Sequence, residues 1–153
     1  MIEIRADDLR DARVIELLRE HYAALRRVSP PESCHVLDLA GLRKPDITFW
    51  SAWDGPRLAG CGALKELAAD QGEIKSMRTA AAFLRQGVAS RLLRHMIEEA
   101  KRRRYRRVSL ETGSMSYFDP ARALYGSFGF APCAAFGGYA EDPNSVYMAR
   151  ELP

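Results

Sequence analysis

The chain has 153 residues, 47% of them apolar and 28% charged, with a net charge of +3. That size and balance suit one domain over residues 1–153 whose core needs neither disulfides nor a structural metal. The charge is compatible with an anionic ligand but too small to demand nucleic acid, and the three scattered cysteines (Cys34, Cys61, Cys133) argue against a disulfide framework and fit a reducing cytoplasm.

Ile2–Arg5 alternates apolar and polar residues, the pattern of a short strand. Acids follow at once and no apolar core appears, so this start is not a signal peptide. No run approaches the apolar length of a membrane span. Asp7 or Asp8 is suited to cap the next helix. In that helix Ile15, Leu18, Tyr22 and Leu25 fall at helical spacing, and Ser29-Pro30-Pro31 ends it. Glu32–Leu42 is ambiguous and fits one short helix ending at Gly41. Ile47–Trp53 is β-branched and aromatic, hence a strand, and Asp54-Gly55-Pro56 turns it into a partner strand, Arg57–Leu67. A loop at Asp70–Gly72 leads to a third strand, Glu73–Thr79.

The period then changes. Val88, Leu92, Met96, Ile97 and Ala100 mark one face of a long helix, Gln86–Arg103. Arg106–Thr112 is a strand with Val108 and Leu110 on one side. Asp119-Pro120 opens a helix that runs to Phe128 and stops at Gly129. Ala131–Pro153 reads as two short strands around the Gly137–Asn144 loop. The order suggests one mixed sheet covered by helices.

The segment Leu84-Arg85-Gln86-Gly87-Val88-Ala89 leads into the long helix. The first amides of a helix lack partners inside it, and the peptide dipoles add positive charge there. A pyrophosphate fits such a place where side chains are small, as at Gly87 and Ala89. Small residues at a helix start also serve tight helix–sheet packing, so these six residues alone do not decide. Neither a Walker loop nor a dinucleotide glycine triplet is present.

Four stretches together are more specific: Glu73–Thr79, Phe83–Leu93 (FLRQGVASRLL), Ser109-Leu110-Glu111-Thr112, and Ala123–Phe130 (ALYGSFGF). In order and spacing they resemble the GNAT superfamily of acetyl-CoA-dependent N-acetyltransferases, nearest to small bacterial members with a tail like Glu141–Met148. Leu84 stands where the family pattern places Gln or Arg. The resemblance implies an α/β (α+β) fold: a mixed, mostly antiparallel sheet of six to seven strands flanked by about four helices. It also implies a sheet that splays between the strands at Glu73–Thr79 and Arg106–Thr112. Acetyl-CoA would lie with its pantetheine arm along Met77, Arg78 and Thr79, where a backbone amide polarises the thioester. Its diphosphate would lie at Leu84, Arg85, Gln86, Gly87, Val88, Ala89 and Ser90.

Attack by an amine needs a proton acceptor and a proton for the leaving thiolate. Tyr125 fills the Leu-Tyr-x-x-x-Gly-Phe position of the family's acid, beside the cofactor, and a phenol with pKa ~10 is protonated at neutral pH. Glu73 matches a family glutamate and is the base candidate; Glu111 is its rival, and water can relay the proton from either. By spacing alone Tyr125 is equally a core tyrosine and Glu73 a solvated strand-end carboxylate. His21 and His95 read as surface residues, and His35 as a residue that can border the acceptor pocket. No metal ligands stand at metal spacing.

The acceptor, a small-molecule or peptide amine, would be shaped by Arg27–Leu42 and the Gly137–Asn144 loop. Two other readings compete: a coenzyme A sensor without turnover, and a nucleic-acid binder using Lys101–Arg104 with Arg106-Arg107. Cations at a helix C-terminus account for that run more simply. An exposed sheet edge leaves room for a homodimer, but no residue pattern specifies one.

Overall fold

A computed structural model describes residues 1–35 and 37–153; Val36, within the ambiguous Glu32–Leu42 segment, lies outside the described residues. Seven strands form one sheet: β1 (Ile2–Ala6), β2 (Ile47–Asp54), β3 (Arg57–Ala68), β4 (Gln71–Thr79), β5 (Arg107–Gly113), β6 (Ala131–Cys133) and β7 (Ser145–Glu151). Their order is β1-β2-β3-β4-β5-β7-β6. Every neighbouring pair is antiparallel except β4–β5. Four α-helices accompany them: α1 (Ala12–Val28), the single-turn α2 (Leu39–Leu42), α3 (Val88–Arg102) and α4 (Asp119–Ser127). This matches the mixed, mostly antiparallel fold expected.

The two faces carry separate cores. Leu92, Leu93, Met96, Ile97 and Ala100 of α3 pack with Trp50, Ala52, Leu64, Ile74, Val108 and Leu110 on one face. Val14 and Leu17 of α1 pack with Phe49, Trp53, Cys61 and Ala63 on the other. Strand alternation explains the division, since successive side chains point to opposite faces. A fully buried Leu contributes about 1.5–3 kcal/mol, so the five apolar contacts of α3 hold that helix firmly to the sheet.

Two expectations are corrected in α1. Its cap is Asp11, whose carboxylate accepts from the Arg13 amide at 2.8 Å. Asp7 and Asp8 instead accept from Leu9 and Arg10, closing a turn in which Leu9 has φ +64°. The buried stripe is Val14, Leu17, His21 and Ala24, one position ahead of the expected one. Ile15, Leu18 and Leu25 are half-buried on its flank and Tyr22 is exposed. The Glu32–Leu42 segment holds a 3-10 turn at Pro31–Ser33 and then α2, with Gly41 inside that helix.

Most of the basic run is ion-paired. Arg102 and Arg103 both pair with Glu99, Arg106 pairs with Asp70, and Arg107 pairs with Glu151. No helix of the described residues is long and apolar enough to cross a membrane.

Candidate active site

The cleft begins where β4 and β5 part. They pair only from Gln71 with Arg107 to Ile74 with Leu110. Beyond that point β4 bulges: Ser76 and Met77 stand opposite the single residue Gly62, and Ser76 takes φ +55°. A bulge sharpens twist and bends its strand, which turns β4 away from β5. At the far end of β5, Gly113 lets Phe118 lie against the backbone; a Cβ there would come within 2.2 Å of the ring. The resulting cavity, about 650 Å³, extends between the two strand ends and under α1 and α4.

One side of the cavity is lined by Met77, Thr79, Leu84, Arg85, Ala89 and Tyr125. Leu84 is exposed, Arg85 has φ +62° and Gly87 φ +83°, so the chain coils left-handed twice before α3 starts. No side chain caps α3 among the described residues and its first turn holds no acid. The first-turn amides and the positive end of the dipole are left for an external anion. Gln86, Gly87, Val88 and Ser90 do not line the cavity themselves. Val88 is a core residue, and the Gln86 side chain donates to the Ala82 carbonyl at 3.1 Å.

Tyr125 is 8% exposed and meets Phe130 edge to face at 6.0 Å. Burial, then the charge of Glu111, pushes its phenol up to about 12. It stays protonated across the physiological range.

The other side is lined by Ser33, Cys34, His35, Glu73, Lys75 and Glu111. Glu73 and Lys75 project to one face of β4, and both side chains are shielded from solvent. Lys75 Nζ donates to Glu73 Oε2 at 3.2 Å, and the Tyr139 hydroxyl donates to the same oxygen at 2.6 Å. Lys75 also reaches the Tyr139 oxygen at 2.8 Å. Burial and the neighbouring Glu73 raise the Tyr139 phenol. Glu111 also lines the cavity, and burial raises its carboxyl. His35 packs edge to face on Tyr139 at 4.8 Å. Ser33 donates to Asp142 at 2.6 Å, which ties the segment after α1 to the loop before β7 next to this side of the cavity.

Two histidines differ from expectation. His21 is buried, not on the surface: it lies in the α1 stripe over β4 and lines the cavity. His95 is half-buried, edge to face on Trp50 at 5.4 Å. Burial, then the Arg78 charge, pushes His21 down to about 4. The unfolded chain takes up a proton near pH ~6.5, whereas the folded one does so only near the lowered value. Stability present above the unfolded pKa is therefore lost as pH falls through that window, by up to about 3 kcal/mol. Urea unfolding at pH 7, 5 and 4 should show this loss, and His21→Gln should remove it; an identical pH dependence in the variant rules it out.

Lys75 was missed by sequence reading, although its i+2 spacing from Glu73 on a strand signals a shared face. Cys61 is no nucleophile: it is fully buried and its thiol is pushed up to about 12 by that burial. No cluster of metal-ligating side chains occurs among the described residues.

The acetyltransferase (GNAT) family model matches residues 12–130. The uncharacterized N-acetyltransferase YsnE of Bacillus subtilis (strain 168) is 58% identical, over 99% of this chain and 100% of that one. An acyl-CoA N-acyltransferase structure from Klebsiella pneumoniae superposes with a TM-score of 0.83 at 27% identity, covering 99% of this chain and 98% of that one. A Bacillus subtilis acetyltransferase solved with CoA superposes with a TM-score of 0.73 at 18% identity over the full length of both chains. The splayed β4–β5 pair, the uncapped α3 and the matched residues agree: this chain belongs to the acetyltransferase (GNAT) family, acyltransferases that take acetyl-CoA as donor.

Proposed function

We propose that the chain transfers the acetyl group of acetyl-CoA directly to the amine of a small molecule or peptide, with both substrates in the cavity at once. The supporting observation is one continuous cavity that joins the α3 N-terminus, Tyr125, the buried Glu73 and the half-buried Glu111. Acetyl-CoA supplies an activated thioester; its diphosphate suits the free amides of the Leu84–Ser90 turn, with Arg85 adding charge. Met77, Arg78 and Thr79 supply backbone groups along the splay.

Glu111 receives the proton lost by the attacking amine, because burial raises its basicity and it borders the cavity. Glu73 is the positioning partner: it is tied to Lys75 and Tyr139 and holds both on the acceptor side. Tyr125 holds its proton at the hydroxyl and donates a hydrogen bond to the departing sulfur. A thiol has pKa ~8.5, below that of this phenol, so the hydrogen bond rather than complete transfer is what Tyr125 supplies. A cytoplasmic location belongs to this reading, supported by three free cysteines.

Incubation with acetyl-CoA and a broad amine panel should release free thiol. Tyr125→Phe should keep coenzyme A affinity and lose about 10–100-fold in kcat, the worth of one charge-assisted hydrogen bond. An unchanged kcat removes Tyr125 from the chemistry; failure of every amine in the panel to release thiol, despite coenzyme A binding, favours the sensor reading.

A further inference from the structure

The cavity wall beneath α1 holds three buried polar atoms with no hydrogen-bond partner among the described residues: His21 Nδ1, Ser76 Oγ and Arg78 Nε. All three residues line the same cavity. Buried polar groups are almost always paired, since each orphan costs the full desolvation of that group. Three such groups gathered at one wall make it polar and leave their hydrogen-bonding capacity unused.

Their placement follows from the strand register. Arg78 stands opposite Cys61 in the β3–β4 ladder, and directly opposed residues share a face. Cys61 belongs to the α1-facing core. The backbone of Arg78 therefore runs along the splay while its side chain turns towards α1, where His21 lies. Its Nη1 is tethered to the Tyr117 hydroxyl at 3.4 Å. The bulge that gives Ser76 its positive φ brings the serine to the same wall.

All three can act as donors. A guanidinium cannot accept, a serine hydroxyl rotates to suit, and a neutral imidazole donates from one nitrogen. No carboxylate lies within 4 Å of Arg78 among the described residues, whereas the solvent-shielded Lys75 on the same strand is held by Glu73. A planar guanidinium with hydroxyl and imidazole donors recognises a carboxylate. The acids Glu111 and Glu73 line the same cavity, so it offers a cationic wall and an anionic one to a single occupant.

We propose that Arg78, His21 and Ser76 form a carboxylate subsite in the acceptor pocket, and that the preferred acceptors are amines that also carry a carboxylate, amino acids among them. This inference rests on the acetyl-transfer reading, whose acceptor it names.

The test compares kcat/KM, read as free thiol, for amino acids, their carboxamides and their decarboxylated amines. The amino acid should exceed both by roughly 10–100-fold, the range expected when charged donors are left unpaired. Arg78→Met should bring the ratio near one, and Arg78→Lys should restore part of it. A ratio near one in the wild-type protein, or one that survives Arg78→Met, overturns the subsite while leaving acetyl transfer intact. An aminophosphonate that outperforms its amino acid by the same factor overturns the carboxylate assignment. Should Arg78→Met fail to fold, the wild-type ratio and Ser76→Ala still decide. Should no amine release thiol, acetyl transfer itself fails; calorimetry of amino acid against carboxamide, with coenzyme A present, then reads the subsite separately, and equal affinities overturn it.

Discussion

Glu111→Gln lowers kcat by roughly 10²–10⁴-fold, the range for loss of a positioned acid–base group, while coenzyme A still binds. The substitution keeps shape and removes only the ability to take a proton. The pH profile separates this from a packing fault. Burial raises the Glu111 carboxyl above the ordinary carboxylate value. A base works ionised, so the rate falls as pH drops through that raised value, and the acidic limb lies higher than a solvent-exposed glutamate would place it. The limb disappears in Glu111→Gln. A loss under threefold with the limb intact would transfer the role to Glu73 or to water, and the same profile on Glu73→Gln would then choose between them.

Lys75→Met destabilises the fold by about 3–5 kcal/mol, the cost of leaving one member of a buried pair behind. Glu73 is only 2% exposed. Without the ammonium at 3.2 Å its carboxylate keeps the Tyr139 hydroxyl and little else. Urea unfolding at pH 7 measures the loss, and the Lys75→Met/Glu73→Gln double variant should recover part of it, because no unpaired charge then remains. Equal stability of wild type and Lys75→Met would show that solvent reaches Glu73 and that the network is no structural unit.

Why the donor side of the site was legible, and much of the acceptor side was not, follows from particular residues. The turn before α3 is local in sequence: Arg85, Gly87 and the apolar face from Val88 to Ala100 sit within five helical turns, and periodicity finds them. The acceptor side is built from contacts far apart along the chain. Glu73 meets Tyr139 66 residues on, and Ser33 meets Asp142 109 residues on. Residue type does not announce such pairings. The stripe of α1 was displaced by one because His21 counts as polar in a hydrophobicity pattern while Tyr22 counts as aromatic. In the folded chain the imidazole is buried over β4 and the larger ring is in solvent. The bulge at Ser76 left no mark either, since a serine with positive φ looks like any other strand serine until its partner strand is known.

The shared register of β4 and β5 is only four residues long, and it is the seam of the whole sheet. On either side lies an antiparallel unit, β1 to β4 and β5 with β7 and β6, and one apolar core under α3 runs beneath both. Chain connectivity crosses the seam through α3, whose packing is on one face only. Few backbone hydrogen bonds join the two halves, and the side chains of α3 do most of the joining. A truncation of the large apolar side chains of α3, such as Met96→Ala, therefore loosens both halves of the sheet at once rather than one of them.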